Sequence, residues 1–261
     1  MDILVLVKSV PEVAEADLEI DDGELVVEDL VFGINEWDGY ALEEAIRLKE
    51  AHGGAVTVMS LGGEAAEDVL RRGLAMGADR AVHLCDEAFE GSDAATVATA
   101  FALAVGERRY DLVLCGVQSA DLGQAQTGVL LAQRLGLPYA TMAVGLEVAA
   151  GGLRVRRELE SDMAETVALP LPAVVAVQSG INQPRYVSIM GIRKVRNVAV
   201  EQVTASDLGL SDDEVGRAAS AIAAVELSLP DAGAGAEILT GSLDVVCGRA
   251  AGVIREKGGL A

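Results

Sequence analysis

Aromatic residues are scarce in this sequence: phenylalanine, tryptophan and tyrosine together make up 3% of its 261 residues. A core must therefore be built from valine, leucine, isoleucine and alanine, which is typical of parallel sheets covered by helices. Because 51% of the residues are hydrophobic and only 23% are charged, the chain has enough apolar side chains for such a core.

Cysteine and histidine are also rare, and their positions exclude several chemistries. The cysteines Cys85, Cys115 and Cys247 are far apart, and the only histidines are His52 and His83. There is no Cys-x-x-Cys pair, so nothing supports a disulfide, a structural zinc or a cysteine–histidine nucleophile. We expect Cys85 and Cys115, which end apolar runs, to be buried free thiols.

Positive charge and long apolar runs are lacking as well. A formal net charge of −21 argues against nucleic acid and anionic membranes as partners. No apolar run reaches the roughly 18 residues that a membrane span needs, so we expect no membrane insertion. No basic stretch precedes the first apolar run, and the sequence therefore predicts a cytoplasmic protein.

Three common catalytic or nucleotide motifs are absent. There is no Gly-x-x-x-x-Gly-Lys-Ser/Thr loop, no Gly-x-Gly-x-x-Gly after the first strand and no Gly-x-Ser-x-Gly elbow. Carboxylates are abundant but scattered, and the cluster of Glu158, Glu160 and Asp162 is best interpreted as solvated charge. No catalytic constellation is visible.

A regular alternation of strand and helix patterns is what the sequence does contain. Apolar runs at 3–7, 55–59, 80–84 and 110–115 predict strands. Segments 40–51, 64–76, 93–105 and 129–135 predict helices, with Asp38 as the N-cap of the first. This order predicts an α/β fold with a mostly parallel sheet, helices on both faces and right-handed crossovers.

The second half of the chain departs from this alternation. Segments 142–149, 153–160 and 166–169 predict an antiparallel extension, followed by a buried strand at 172–177. Asp21-Asp22-Gly23 predicts the turn of a small hairpin. Beyond residue 200 the pattern weakens, with a linker at 228–235 and a last helix at 243–256. We therefore divide the chain into an α/β domain, 1–200, and a C-terminal arm, 201–261, that is either packed on a partner or flexible.

The loop from Cys115 to Gly128 is the main candidate for a functional site. It joins the carboxyl end of a predicted strand to the start of a helix, where open α/β sheets bind ligands and free N–H groups attract phosphate. In a parallel sheet, Lys8 would lie at the same edge. The loop offers hydroxyl and amide groups for a phosphate, ribose or base, namely Ser119, Gln124, Gln126 and Thr127. The alternative is an ordinary polar connection.

Several segments together resemble the beta subunit of electron transfer flavoproteins. The first are Val-Leu-Val-Lys at 5–8, Ile-Asn at 34–35, the helix sequence at 41–50 and the segment 75–80. Next come Asp-Leu-Val-Leu at 111–114, which leads into Gln-Thr-Gly at 126–128, and the signature region 155–176. Ser161 stands where that signature usually has Gly, Asp or Glu. Asn-x-Pro-Arg-Tyr at 182–186 follows, so the resemblance covers about residues 2–200.

The resemblance implies a Rossmann-like subunit of a heterodimer. The larger alpha subunit would hold the redox FAD, and this chain would bind a second adenine nucleotide. That nucleotide is AMP in most members and a second FAD in the electron-bifurcating branch. Carried over by position, the nucleotide contacts are Leu6, Asn35, Glu36, Trp37, Asp38, Leu61, Gly116, Val117, Gln118, Ser119, Ala120, Asp121, Leu122, Gly123, Gln124, Ala125, Gln126 and Thr127.

Departures from the family pattern bear on the nucleotide. Val117 stands where the AMP type usually has a lysine, and a run of acidic residues is reduced to Asp121. Ala125-Gln126 is more similar to the bifurcating branch, whereas Thr127-Gly128 is similar to the AMP type; we expect AMP. Trp37 falls where the family often has a phenylalanine that faces the FAD of the alpha subunit. It is expected either near that flavin or in the core.

Segment 186–194 is similar to the family's loop that docks on acyl-CoA dehydrogenases. Its contacts would be Tyr186, Ile189 and Met190, with Ile189 as the apolar anchor. The family's usual lysine cluster is reduced to Arg193, Lys194 and Arg196.

The implied function is that of an electron carrier subunit in fatty acid oxidation, which is not itself an enzyme because the FAD carries the redox chemistry. It would take electrons from flavin dehydrogenases such as acyl-CoA dehydrogenases and pass them to a quinone oxidoreductase. One alternative is an electron-bifurcating subunit with NADH as the donor. Another is a stand-alone regulatory protein of the universal-stress type that binds a nucleotide.

Overall fold

Short aliphatic runs alternate with helical segments, and in the computed structural model most of these runs join one large sheet. The structure describes residues 1–13, 18–21, 23–27, 30–229 and 235–258. Within these ranges the strands are β1 (Asp2–Leu6), β2 (Ser9–Pro11), β3 (Ile20–Asp21), β4 (Glu24–Leu25), β5 (Phe32–Ile34), β6 (Ala55–Leu61), β7 (Arg80–Leu84), β8 (Leu112–Gly116), β9 (Tyr139–Ala149), β10 (Gly152–Glu158), β11 (Ala164–Leu169), β12 (Ala173–Val177) and β13 (Val200–Val203). The helices are α1 (Glu36–His52), α2 (Glu64–Met76), α3 (Ala94–Val105), α4 (Thr127–Leu135), α5 (Ile189–Val195), α6 (Gly216–Ala219) and α7 (Leu243–Glu256).

The large sheet has the strand order β11-β10-β9-β12-β8-β1-β6-β7-β13. β1 lies inside the sheet, because Ile3 pairs with Val56 of β6 on one side and with Leu112 of β8 on the other, both parallel. Only β10 runs antiparallel to its neighbours, β9 and β11. The predicted fold class, a mostly parallel sheet with helices and an antiparallel extension, is confirmed.

Aliphatic side chains fill both faces of this sheet. Ile3 and Val5 point to one face, where they share a core with Leu42 of α1 and Leu70 of α2. Leu4 and Leu6 point to the other face, where they meet residues of α3 and α4 such as Phe101 and Leu131. Each fully buried leucine contributes about 1.5–3 kcal/mol. Two apolar faces explain why the parallel strands are nearly continuous hydrophobic runs rather than alternating patterns.

Two compact units can be separated in the chain. The first contains the described residues of 1–17 and 27–225, and the second those of 18–26 and 226–261. The second unit includes the hairpin β3–β4, in which Ile20 pairs with Leu25, and the helix α7. The hairpin and the last helix were predicted. Asp22 of the predicted turn and residues 230–234 of the predicted linker lie outside the described residues.

Beyond residue 200, where the sequence pattern is weak, the chain forms one more strand of the large sheet. Val200 of β13 pairs with Ala81 of β7, and Val203, Ala205 and Val215 are buried. The pattern is weak because Glu201 and Gln202 are exposed and the strand has only four residues. That the C-terminal arm packs on a partner stays a prediction.

Local details differ at a few places from the sequence-based prediction. Helix α1 begins at Glu36, four positions before the predicted start, and ends at its Gly53 C-cap. Segment 186–194 contains the short helix α5, whose N-cap Ser188 accepts the N–H of Gly191 at 3.1 Å. Cys115 is buried as predicted, whereas Cys85 is only partly buried. Among the described residues, no helix is both long and apolar enough to cross a bilayer.

Candidate functional site

A pocket lies at the carboxyl edge of the parallel strands, next to the ends of β1, β6 and β8. The chain places β6 and β7 on one side of β1 and then returns to place β8 on the other. The strand order therefore reverses between β1 and β8, and such a reversal opens a crevice in which α/β sheets bind ligands. Every predicted nucleotide contact lines this pocket except Glu36, Trp37, Ala120, Asp121 and Gly123.

Asp38 joins the three segments that meet at the pocket. It is buried within the first turns of α1, and it does not cap that helix as predicted. One carboxylate oxygen accepts the N–H of Lys8 at 2.8 Å, and the other accepts the N–H of Gly116 at 2.8 Å. The N-cap prediction is wrong because these two distant donors occupy both oxygens.

Burial also changes the proton affinity of this carboxyl group. Loss of water raises the pKa of Asp38 from 3.8 to about 7, although the hydrogen bonds from Gly116 and Lys8 act in the opposite direction. The neighbouring thiol is affected too, since burial and the charge of Asp38 raise the pKa of Cys115 to about 12. Cys115 therefore stays protonated and is not a nucleophile.

Close approach of the backbones explains the glycine at the end of β8. A Cβ atom on Gly116 would lie 2.6 Å from the Cβ of Trp37 and 2.5 Å from a carboxylate oxygen of Asp38. A larger residue would push the loop away from α1. The glycine therefore allows Asp38 to reach the backbone of β8.

Asn35 fixes the next part of the loop. Its side chain is buried, and its amide donates to the carbonyl of Gln118 at 2.8 Å while its amide oxygen accepts the N–H of Ala120 at 3.1 Å. Two backbone groups of a polar loop are thereby satisfied by one side chain. Asn35 thus orients the loop from a rigid helix start.

Lys8 is the only lysine or arginine that lines the pocket among the described residues. Its ammonium group bonds both carboxylate oxygens of Asp121, at 2.8 and 2.6 Å, and lies 3.4 Å from the hydroxyl of Ser119. Burial alone would raise the pKa of Asp121, but hydrogen bonds from Lys8 and Ser119 and the charge of Lys8 lower it. The prediction that Lys8 lies at the same edge as the loop is confirmed.

Two of the helices that start at the pocket, α3 and α4, have different N-termini. Asp93 caps α3, because its carboxylate accepts the N–H groups of Ala95 and Thr96 at 3.0 and 2.9 Å. Gln126, at the N-cap position of α4, makes no such side-chain bond. The start of α4 therefore remains available to an anion, which the helix dipole would stabilise by about 0.3–1 kcal/mol.

An apolar wall faces the polar loop. Beside the predicted Leu6 and Leu61 it contains Phe89, Val97 and Phe101, which the sequence did not single out. Gln124 connects the loop to this side, since its amide oxygen accepts the N–H of Ala94 at 3.2 Å. A flat base suits such a wall. Only one feature of the sequence indicates this apolar wall: the helix that starts after Asp93 begins at the same edge of the sheet.

Ala125 occupies a left-handed backbone conformation within the loop, with φ at +53°. Such a conformation costs a non-glycine residue roughly 1–2 kcal/mol. Strain of this kind is concentrated at binding sites, where the surrounding structure imposes it. The position lies directly before the start of α4.

Trp37 lies outside the pocket lining and is partly buried. Its indole N–H donates to the side-chain oxygen of Gln178 at 2.8 Å, so the end of β12 fixes the ring. Its proximity to a flavin stays a prediction.

The predicted docking residues form an exposed apolar patch. Tyr186, Ile189 and Met190 are 89%, 70% and 60% exposed. The preceding turn is anchored on α1, because Arg185 bonds Glu43 at 2.8 Å and Glu50 at 2.8 Å. Asn182 adds a bond to Glu44 at 3.0 Å. The patch is thus exposed, while the turn that precedes it is held against α1.

Comparisons with known proteins agree on one family. Residues 24–208 match the electron transfer flavoprotein domain. The electron transfer flavoprotein subunit beta of Methylophilus methylotrophus is 40% identical over 89% of this chain and 90% of its own length. The corresponding subunit of Thermoanaerobacterium thermosaccharolyticum is 39% identical, over 93% and 94%. Subunit CarD of the caffeyl-CoA reductase-Etf complex of Acetobacterium woodii is 35% identical over 98% of this chain and 99% of its own.

Proposed function

Because the chain belongs to the electron transfer flavoprotein family as a subunit of the beta type, we propose that it works in a heterodimer with an alpha subunit that carries the redox FAD. The flavin supplies the electron-transfer chemistry. This chain binds a second adenine nucleotide, orients the flavin-bearing partner and presents a docking surface. It carries electrons from flavin dehydrogenases, such as acyl-CoA dehydrogenases, to a quinone oxidoreductase in the cytoplasm.

One observation supports the nucleotide site above all others. At the point where the strand order reverses, an apolar wall faces a polar loop and the uncapped start of α4. The adenine would lie against the wall around Leu61 and Phe101. The phosphate would bind at Thr127 and Gly128. Among the described residues the lining has one cation, Lys8, which matches one phosphate better than two or three.

The exposed patch supports the docking part of the proposal. Ile189 inserts into an apolar pocket of the dehydrogenase, and Tyr186 and Met190 pack around it. Because Arg185 fixes the turn on α1, the patch does not have to be ordered completely on binding, which reduces the entropic cost.

A second candidate function is an electron-bifurcating subunit with a second FAD and NADH as the donor. Two observations favour it. The match to a subunit of a caffeyl-CoA reductase-Etf complex spans nearly the whole chain. The loop also carries Val117 instead of the lysine that is typical of the AMP type. The two candidates differ in the nucleotide that the pocket holds.

Purification from the native source tests the heterodimer directly. We expect the chain to copurify with a flavin-bearing partner in equal amounts and to give a yellow complex. A colourless homodimer with full biological activity would contradict the proposal and would favour a stand-alone nucleotide-binding regulator. Electron transfer from NADH to two acceptors at once would favour the bifurcating candidate.

A further inference from the structure

The wall of the pocket at residues 91–94 is joined to a segment from much further along the chain, residues 216–221. The N–H of Gly216 donates to the hydroxyl of Ser92 at 3.1 Å. The next N–H, that of Arg217, donates to the carbonyl of Glu90 at 2.9 Å. Gly91, Ser92, Asp93 and Ala94 all line the pocket, whereas no residue of 216–221 does.

Asp93 is the centre of this junction. It is buried, and one of its oxygens accepts hydrogen bonds from the first turn of α3. The other oxygen accepts the N–H of Ala221 at 2.8 Å, and the N–H of Asp93 itself donates to the hydroxyl of Ser220 at 2.9 Å. A single carboxylate thus binds both the helix that starts at the pocket and the distant segment.

Two glycines allow the segments to approach closely. Gly216 has a φ of +62°, and a Cβ on it would collide with the carbonyl oxygen of Ala88. Gly91 has a φ of +71°, and a Cβ on it would lie 3.0 Å from the Cβ of Arg217. The contact is therefore complementary in shape as well as in hydrogen bonding, which distinguishes it from one chance bond.

We propose that Asp93 is a positioning residue through which residues 216–221 hold the wall of the nucleotide pocket, so that nucleotide binding and the order of this segment are coupled. This rests on the proposed function, in which the pocket holds an adenine nucleotide. Contacts between the nucleotide and residues 91–94 restrict the same backbone that Ser220 and Ala221 bind. Coupling between two sites is reciprocal, so a weaker junction weakens nucleotide binding and nucleotide binding orders the segment.

Ser220→Ala in the full heterodimeric complex is the test. The substitution removes the acceptor of the Asp93 N–H and the hydroxyl that donates to Gly91 or Gly216. After the complex has been dialysed free of nucleotide, AMP and FAD are titrated separately, and hydrogen exchange of peptides covering 214–225 is followed with and without each nucleotide. Ser211→Ala is the matched control, because the Ser211 hydroxyl bonds only its neighbours Asp213 and Glu214.

The expected result has two parts. In the wild type and in Ser211→Ala, the bound nucleotide slows exchange in 214–225. In Ser220→Ala that slowing is lost, and nucleotide affinity falls about five- to tenfold. A purely structural role would instead speed exchange equally with and without nucleotide, and that outcome would overturn the inference. If Ser220→Ala does not assemble, Asp93→Asn serves instead, since its amide keeps an acceptor for α3 but loses the one for Ala221.

The failure of this inference can be told apart from the failure of the proposed function. A wild-type complex that binds neither AMP nor FAD would overturn both. A wild-type complex that binds one of them, with unchanged affinity and unchanged slowing in Ser220→Ala, would overturn the coupling alone.

Discussion

The carboxylate of Asp38 accepts the N–H of Gly116 at 2.8 Å and so connects the first turn of α1 to the end of β8. Its other oxygen accepts the N–H of Lys8 at the end of β1. Three backbone segments that form the pocket thus share one buried side chain. The loop after β8 is positioned by tertiary contacts and not by its own sequence alone.

The stability of the fold should depend on pH through Asp38. Its pKa is raised to about 7 in the folded protein, against 3.8 for the ordinary group. The folded state therefore binds the proton more tightly, and the contribution of Asp38 is fully present below pH 4 and is lost as the pH rises through 7.

Urea denaturation from pH 4 to pH 8 measures this effect in the wild type and in Asp38→Asn. The free energy of unfolding of the wild type, minus that of the variant, should fall with rising pH and level off above 7. A difference that rises with pH would mean that the hydrogen bonds from Lys8 and Gly116 change the pKa of Asp38 more than burial does.

Lys8→Met should weaken nucleotide binding more than it weakens the fold. The ion pair with Asp121 is partly exposed, and such pairs contribute about 0–1 kcal/mol to stability. The lining, however, loses the one cation that it has among the described residues, so the affinity for AMP should fall about tenfold by calorimetry. Lys49→Met, which breaks a pair with Asp79, is the control and should leave the affinity unchanged. Equal affinities for AMP in Lys8→Met and Lys49→Met would show that Lys8 does not contribute to the nucleotide site.

Arg185→Ala should destabilise the fold by about 2–3 kcal/mol, because it leaves the buried carboxylate of Glu43 without its cation. The hydrogen bonds that Arg185 donates to Glu50 and Glu43 raise its pKa further above the ordinary value, which indicates that the pairing favours the charged form. Arg47→Ala breaks a looser contact of 3.7 Å to Glu44. It should lower the free energy of unfolding by about 1 kcal/mol at most. A similar loss for both arginines in urea denaturation would argue against a special role for Arg185.

Ile189→Ala should slow electron transfer from the dehydrogenase while the complex keeps its flavin. The side chain is 70% exposed, so its removal disturbs no core and affects only the proposed docking contact. Stopped-flow measurement at limiting dehydrogenase should show a rate about tenfold lower, with an unchanged flavin spectrum. Ile222→Ala, another exposed isoleucine, is the control. An unchanged rate in Ile189→Ala would exclude this patch as the docking site.

Most of the fold could be predicted because local signals are strong where the core is aliphatic. Apolar runs and helical patterns predicted β7, α2 and α7 with the same bounds as in the structure. Asp38 was misassigned because a local pattern cannot show that Lys8 and Gly116 bring their N–H groups to it.

Part of the candidate site could also be predicted from local patterns. The loop 116–127 follows directly from a strand–loop–helix pattern. The apolar wall around Phe89 and Phe101, and the support from Ser220, depend on how distant segments pack. No spacing in the sequence indicates that these segments meet.

The identity of the nucleotides released from the denatured complex tests the central claim most directly. Mass spectrometry of the wild-type complex should find FAD and AMP in equal amounts. The double variant Gln126→Ala with Thr127→Ala should lose AMP on dialysis and keep FAD, because both residues line the pocket of this chain. FAD alone at twice the amount would favour the bifurcating candidate. An absence of any nucleotide beyond a single FAD, or full AMP retention in the double variant, would contradict the proposed site.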